Sequence, residues 1–259
     1  MESIREEKAA TGPSLVFNRT ERLVGASGME ALSRARVIIF GVGGVGSWTA
    51  EALARTGIGH ITIVDADKVS PTNINRQAEA YLTTVVQVKV EAMKRQLLSV
   101  APGIEVEALE MEYNSQTADS FDFEEYDFVI DAIDSLAAKA LLIRNATAAR
   151  RPVVYSSMGA ALKLDPTKIA VAEFWKVQGC PLAAALRRKF KKSGEFPRRK
   201  FRCVYSPELL DNRGAASAED PSMGFNKVAV NGSLCHITAI FGMMLAGMVV
   251  ERIVEDGVK

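Results

Sequence analysis

An open α/β sheet, doubly wound and mostly parallel, is the fold class this sequence predicts. Three observations carry it. The apolar run Arg36–Phe40 ends on glycines, a helical stretch leads from them to a second apolar run, Ile61–Val64, that ends at Asp65, and strand and helix patterns go on alternating to about residue 155. Two strands joined by one helix over so short a span must lie parallel, so ligands are expected beyond the carboxyl ends of the strands.

Taken in order, residues 1–16 are polar and charged, with no apolar stretch of the kind a secretory signal needs, and read as a flexible tail. Residues 17–259 read as a single domain. Val88–Val100 has helical spacing and stops at Pro102 and Gly103; Ile104–Leu109 is a strand, Asp127–Ile130 a buried strand, Leu136–Ala149 a helix and Pro152–Tyr155 another strand. Arg187–Arg202 holds nine basic residues and one acidic one, broken by Ser193, Gly194 and Pro197, and reads as a surface excursion that continues to about residue 222. An apolar helix over about 234–254 closes the chain. Its apolar stretch Leu234–Val250 is short for a bilayer span of about 20 residues, so it is expected to be buried in the core or in a dimer interface, with no membrane partner.

Composition narrows the function classes. A chain of 259 residues with 48% hydrophobic and 24% charged residues is an enzyme-sized folded domain, which excludes a disulfide mini-protein, a disordered chain or a fibrous repeat. Thirty-two Lys and Arg against 31 Asp and Glu leave a net charge of +1, so a nucleic acid would have to be met by a local patch. Cys180, Cys203 and Cys235 are far apart and form no C-x-x-C pair, and His60 and His236 lack ligand spacing. No zinc is therefore expected; the cysteines read as small apolar packers, Trp48 and Trp175 as packing aromatics, and the reducing cytoplasm as the compartment.

The glycine run satisfies the dinucleotide fingerprint. In Gly41-Val-Gly43-Gly44-Val-Gly46 the first glycine allows the turn, the second lets the backbone approach phosphates and the third permits close helix packing; Asp65, 19 positions after Gly46, stands where a carboxylate accepts ribose hydroxyls. Just beyond that strand end come Asp67, Asn73, Arg76 and Gln77. A nicotinamide site has no use for such a cluster, whereas triphosphate chemistry needs Arg, Lys and a metal-binding carboxylate. Lys89 supplies the lysine, and Asp131 and Asp134, where one strand ends and the next helix starts, are expected to face the same crevice, at least one of them serving magnesium.

These G-x-G-G-x-G, D-x-D and N-x-x-R-Q elements resemble the E1-like adenylating superfamily, which implies a Rossmann-like adenylation fold using ATP and Mg2+. Carried over, the resemblance implies that Asp65 holds the ribose, Asn73, Arg76 and Lys89 the phosphates and Asp134 the magnesium. Phe17-Asn18-Arg19 resembles the element whose arginine reaches into the partner subunit's ATP site, which implies a homodimer with Arg19 acting across the interface. Arg55–Gly59, Val129–Ser135, Asp165–Ile169, Pro181–Ala184 and Cys203–Ser206 are similar to the tRNA threonylcarbamoyladenosine dehydratases over nearly the full chain. Met223-Gly-Phe225 also fits them, and residues 207–222 match poorly.

That family adenylates the threonylcarbamoyl carboxylate of a modified adenosine next to the anticodon, then cyclises it with release of AMP. The resemblance turns the basic stretch into an expected tRNA contact through Arg187, Arg188, Lys189, Lys191, Lys192, Arg198, Arg199 and Lys200, with Phe190, Phe196 and Phe201 available to stack on unpaired bases. Two rivals stand beside it: an E1-like enzyme that activates the carboxyl terminus of a ubiquitin-like sulfur carrier, and a redox or non-catalytic Rossmann module. The missing zinc knuckles and the basic stretch count against the first; docking by sulfur-transfer proteins stays open.

Overall fold

In the computed structural model, which describes residues 13–101, 103–214 and 231–257, the alternation in the sequence becomes a seven-stranded sheet between two helical layers. The chain runs through α1 (Pro13–Val16), α2 (Asn18–Arg34), β1 (Arg36–Phe40), α3 (Gly46–Thr56), β2 (His60–Val64), α4 (Lys89–Val100), β3 (Glu105–Leu109), β4 (Phe128–Asp131) and α5 (Leu136–Ala148). It continues through β5 (Val153–Ser157), β6 (Ala170–Glu173), α6 (Pro181–Ser193), β7 (Arg202–Tyr205) and α7 (Cys235–Gly257). The strand order is β3-β2-β1-β4-β5-β7-β6, parallel throughout except for β6, which pairs antiparallel to β7 as an edge strand. The order reverses between β1 and β4, and their carboxyl ends open the crevice where ligands bind in such sheets.

Side-chain alternation divides the core. Val37 and Ile39 of β1 face one layer with α3, α4 and α7, while Ile38 and Phe40 face the other with α5 and α6. The closing helix α7 is long and apolar enough to cross a membrane, yet here it lies against α3 and α2 with Ile237, Phe241, Leu245 and Val249 buried. Gly242 makes that approach possible, because a Cβ there would lie 2.6 Å from the Val45 carbonyl oxygen and 2.8 Å from Trp48 Cβ.

The region read as a basic surface excursion is more ordered than composition suggested. Its first half belongs to α6, whose Ala183, Leu186 and Phe190 are buried, and Gly194 ends the helix in the left-handed conformation at φ 72°. Its end starts β7, where Arg202 pairs with Tyr155. A helix with a buried stripe every three to four residues and lysines between them looks like a charge run when read linearly. Residues 1–12 of the expected tail and the Met223-Gly-Phe225 element lie outside the described residues.

Candidate functional site

Each glycine of the turn after β1 meets a different demand. Gly41 has φ +88°, and a Cβ there would lie 2.8 Å from the Ala132 carbonyl oxygen, so the chain can turn beside β4 only with glycine. Gly46 opens α3, and a Cβ on it would lie 1.8 Å from Gly41 O. Gly44 lies between Thr238 of α7 and the Arg76 side chain, whose Cγ would be 3.4 Å from an added Cβ. Among the described residues Gly43 is crowded by nothing nearer than Gln77 Nε2 at 3.8 Å, which leaves room for a ligand against its backbone. The amides at the start of α3 therefore point into a crevice that favours anions.

The acidic and basic residues gather round this turn. Asp65 Oδ2 accepts from Val42 N at 2.7 Å and its Oδ1 from Asp67 N at 2.8 Å, so one carboxylate ties the glycine turn to the end of β2. Lys89, at the first position of α4, pairs with Asp67 at 2.8 Å; the lysine side chain is only 6% exposed and the aspartate 73%, so the partner is the group in water. Arg76 Nη1 donates to Thr72 O at 2.7 Å and to Asn75 Oδ1 at 3.0 Å, and its own carbonyl accepts from the Trp48 indole and the Thr238 hydroxyl. Asn73 is buried, and its Oδ1 accepts from Ser70 N at 2.9 Å, closing a capping box on the short turn that carries Arg76.

The two aspartates after β4 separate. Asp131, expected to face the crevice, is fully buried: its Oδ2 lies 2.8 Å from Lys139 Nζ and 2.6 Å from Ser156 Oγ, and Lys139 also donates to Ile133 O at 2.9 Å. Removed from water, both charges need these partners, so Asp131 and Lys139 brace the 132–134 loop rather than meet a ligand. Asp134 is exposed on that loop. No cluster of three or more metal-ligating side chains occurs among the described residues. An exposed carboxylate such as Asp134 fits magnesium that arrives on nucleotide phosphates and keeps most of its water, not a protein-built cage.

Sequence reading missed Lys139, which looks like one polar residue in an alanine-rich helix, and Glu79, which follows the N-x-x-R-Q element. Glu79 is 1% exposed, and neither carboxylate oxygen has a hydrogen-bond partner among the described residues. It sits between the first turns of α3 and α4: Ala78 N beside it donates to Ser47 Oγ at 3.0 Å, and Ala80 packs on Ala92. Burial pushes its pKa up to about 8, with the Asp65 charge adding to the rise and Lys89 opposing it. Gln77 Oε1 is likewise buried without a partner among the described residues. The only local signal for Glu79 was position, three residues past Arg76 in a segment with no helical or strand period.

The basic stretch is divided as well. Arg199 donates to the carbonyls of Ala146, Thr147, Ala149, Arg150 and Pro152, satisfying acceptors that the end of α5 leaves open. Arg187 donates to Phe174 O and lies over the Phe174 ring. Phe190 and Phe201, expected to stack on bases, are buried against Phe174. Arg188, Lys189, Lys191, Lys192, Arg198 and Lys200 remain exposed. Cys203 is buried and its thiol pushed well above its usual range by desolvation, which suits packing and not nucleophilic chemistry.

Comparison with known proteins agrees with this geometry. Residues 17–258 match the ThiF family. The chain is 36% identical over 245 residues, 93% of its length and 95% of the relative's, to the tRNA threonylcarbamoyladenosine dehydratase of Bacillus subtilis. The structure of the Escherichia coli tRNA N6-threonylcarbamoyladenosine dehydratase in complex with ATP superposes with a TM-score of 0.81 at 32% identity, covering 95% of this chain and 96% of that one. The Escherichia coli molybdopterin-synthase adenylyltransferase is 32% identical over a shorter stretch, 63% of each chain.

Proposed function

This chain belongs to the ThiF family, and from that premise we infer that it is an ATP-dependent tRNA threonylcarbamoyladenosine dehydratase. The observation that carries the reading is the Arg76 side chain beside Gly44 and the Lys89–Asp67 pair beyond the next strand end, flanking the glycine turn and read as a polyphosphate site, in a chain that matches dehydratases over nearly its whole length. The sulfur-carrier rival is not favoured, since its matches cover less of the chain.

The chemistry follows from charge. The threonylcarbamoyl carboxylate of the modified base is already a nucleophile; its oxygen attacks the α-phosphorus of ATP, and the bond to pyrophosphate breaks. The obstacle is an anion approaching a polyanion, so Arg76, Lys89 released from Asp67, and the α3 amides lower the barrier by offsetting charge on the departing pyrophosphate. Asp134 would hold magnesium, which supplies further charge neutralisation. The ureido group of the same substituent then closes onto the acyl carbon, giving up one proton as AMP leaves; ring closure draws on proximity and needs no enzyme nucleophile.

We place the enzyme in the cytoplasm as a homodimer in which Arg19 completes the partner's site. Phe17, two residues before Arg19, packs at Gly57, the far end of the 11-residue α3 from the glycine turn, about 16 Å away by helix rise. An exposed arginine there is poorly placed for its own crevice. Leu15, Leu23 and Met243 are exposed at 59%, 86% and 44% on α1, α2 and α7, apolar surface that a second copy would cover.

The test is incubation with ATP, Mg2+ and tRNA carrying the threonylcarbamoyl base, followed by nucleoside mass analysis and AMP measurement. Loss of one water from the base, with AMP formed only on modified tRNA, is the expected result. Unchanged tRNA, with pyrophosphate exchange on adding a carrier protein, overturns it. Mixing Arg19→Ala with Asp134→Ala subunits should restore part of the activity that each lacks alone.

A further inference from the structure

Trp175 and Phe196 form an aromatic pair at the surface, 39% and 46% exposed, with ring centroids 6.1 Å apart and planes inclined at 43°. They are the outer members of a cluster whose inner rings are buried: Phe174 stacks on Phe201 at 4.9 Å and meets Phe190 at 5.9 Å and Trp175 at 5.0 Å edge-on. The buried rings hold the outer pair without relying on side-chain flexibility. Half-exposed indole and phenyl rings forgo burial that would stabilise the fold, so a surface that keeps two of them adjacent calls for an occupant.

The surroundings select its chemistry. Lys176 follows Trp175 directly and is exposed, α6 carries Arg188, Lys189, Lys191 and Lys192 in solvent, and Arg198 and Lys200 follow Phe196. The one acidic residue of the stretch, Glu195, is paired with Arg144. Cations beside exposed ring faces match a polyanion that also offers flat apolar faces, which describes unpaired nucleotides.

We propose that Trp175 and Phe196, with the cations around them, are a stacking platform for unpaired bases of the RNA substrate, separate from the adenylation crevice. The fold sets the separation. Phe174 N donates to Phe201 O beside the start of β7, and Arg198 N donates to Thr147 Oγ1 near the end of α5, so the platform lies at the amino edge of the sheet. Asp134 precedes α5 at the carboxyl edge, and the 13 residues of that helix span about 20 Å. The platform therefore grips RNA at a second point that a small carboxylic acid could not reach, and it contributes to binding without touching the reacting atoms. This inference rests on tRNA being the substrate.

The test compares wild type, W175A/F196A and the conservative W175F/F196Y, measuring KM and kcat with modified tRNA, KM for ATP, and Kd for an anticodon stem-loop RNA. Truncation should raise the tRNA KM and the stem-loop Kd about 10- to 100-fold, leaving kcat and the ATP KM unchanged, and the conservative pair should stay near wild type. Unchanged tRNA KM and stem-loop Kd in W175A/F196A would overturn the proposal, as would an equal rise in the ATP KM. If truncation unfolds the chain, W175L/F196L keeps apolar volume while removing the ring faces and serves the same comparison. A wild-type protein that makes no AMP on modified tRNA defeats the functional reading itself, and is thereby told apart from failure of the platform alone.

Discussion

The carboxyl and amino edges of the sheet both gather cations and treat them in opposite ways. At the carboxyl edge Lys89 is held by Asp67, a carboxylate standing mostly in water, and Arg76 by a carbonyl and an amide of its own loop. A solvated carboxylate is readily exchanged for a phosphate, because water takes up the released Asp67 while the buried Lys89 keeps an anionic partner. At the amino edge Arg199 spreads its guanidinium over five carbonyls around the end of α5, and leaving would strand them all. A cation's availability to a polyanion is thus read from what its present partners lose.

The largest effect should come from the support beneath the first edge. Lys139→Met leaves Asp131 charged and buried without its partner, so stability should fall by about 3–5 kcal/mol, read from the denaturant midpoint; a shift below 1 kcal/mol would mean that Asp131 reaches water. Next, Asp134→Ala and Arg76→Ala should each lower AMP formation about 10²- to 10³-fold with the melting temperature near wild type. Turnover at the wild-type rate in both would break the contrast by removing the carboxyl edge from the chemistry.

Glu79 sharpens the same edge through pH. Its folded pKa of about 8 lies above the 4.5 of an ordinary glutamate, so between those values the folded state keeps a proton that the unfolded state releases. Stability from this group is fully present below about pH 4.5 and is lost as pH rises toward 8, at up to about 1.4 kcal/mol per pH unit. Glu79→Gln should remove that slope, making the variant more stable than wild type at pH 8 and less distinguishable at pH 5; parallel pH curves would sink the assignment. The smallest effect belongs to the amino edge: Arg199→Ala should cost about 1–2 kcal/mol of stability and leave the tRNA KM nearly unchanged, whereas Arg188→Glu with Lys192→Glu should do the reverse.

Much of the site was legible from residues 36–89, because each feature there is local. The apolar run, the glycines, the aspartate at the strand end and the N-x-x-R-Q element occur in the order the chain meets them, and Gly41 and Gly46 are required by contacts within that turn and the neighbouring β4 loop. The basic stretch was less legible: composition showed charge, while the helical stripe Ala183, Leu186, Phe190 lay hidden among lysines. Trp175, read as a packing aromatic, proved half-exposed, and Phe190 and Phe201, read as exposed, proved buried. Ring exposure depends on which neighbours arrive from elsewhere in the chain.

By itself the sequence determined the doubly wound sheet, the nucleotide turn at its switch point and the family, since periodicity and short motifs encode contacts between near neighbours. Only the tertiary structure decided which charges are buried and which face solvent. Asp131 meets Ser156 from 25 residues away, Arg199 the end of α5 from about 50, and Thr238 the Arg76 carbonyl from 162. Desolvation and hydrogen-bond satisfaction are set by such long-range neighbours, and no local pattern of residue types specifies them.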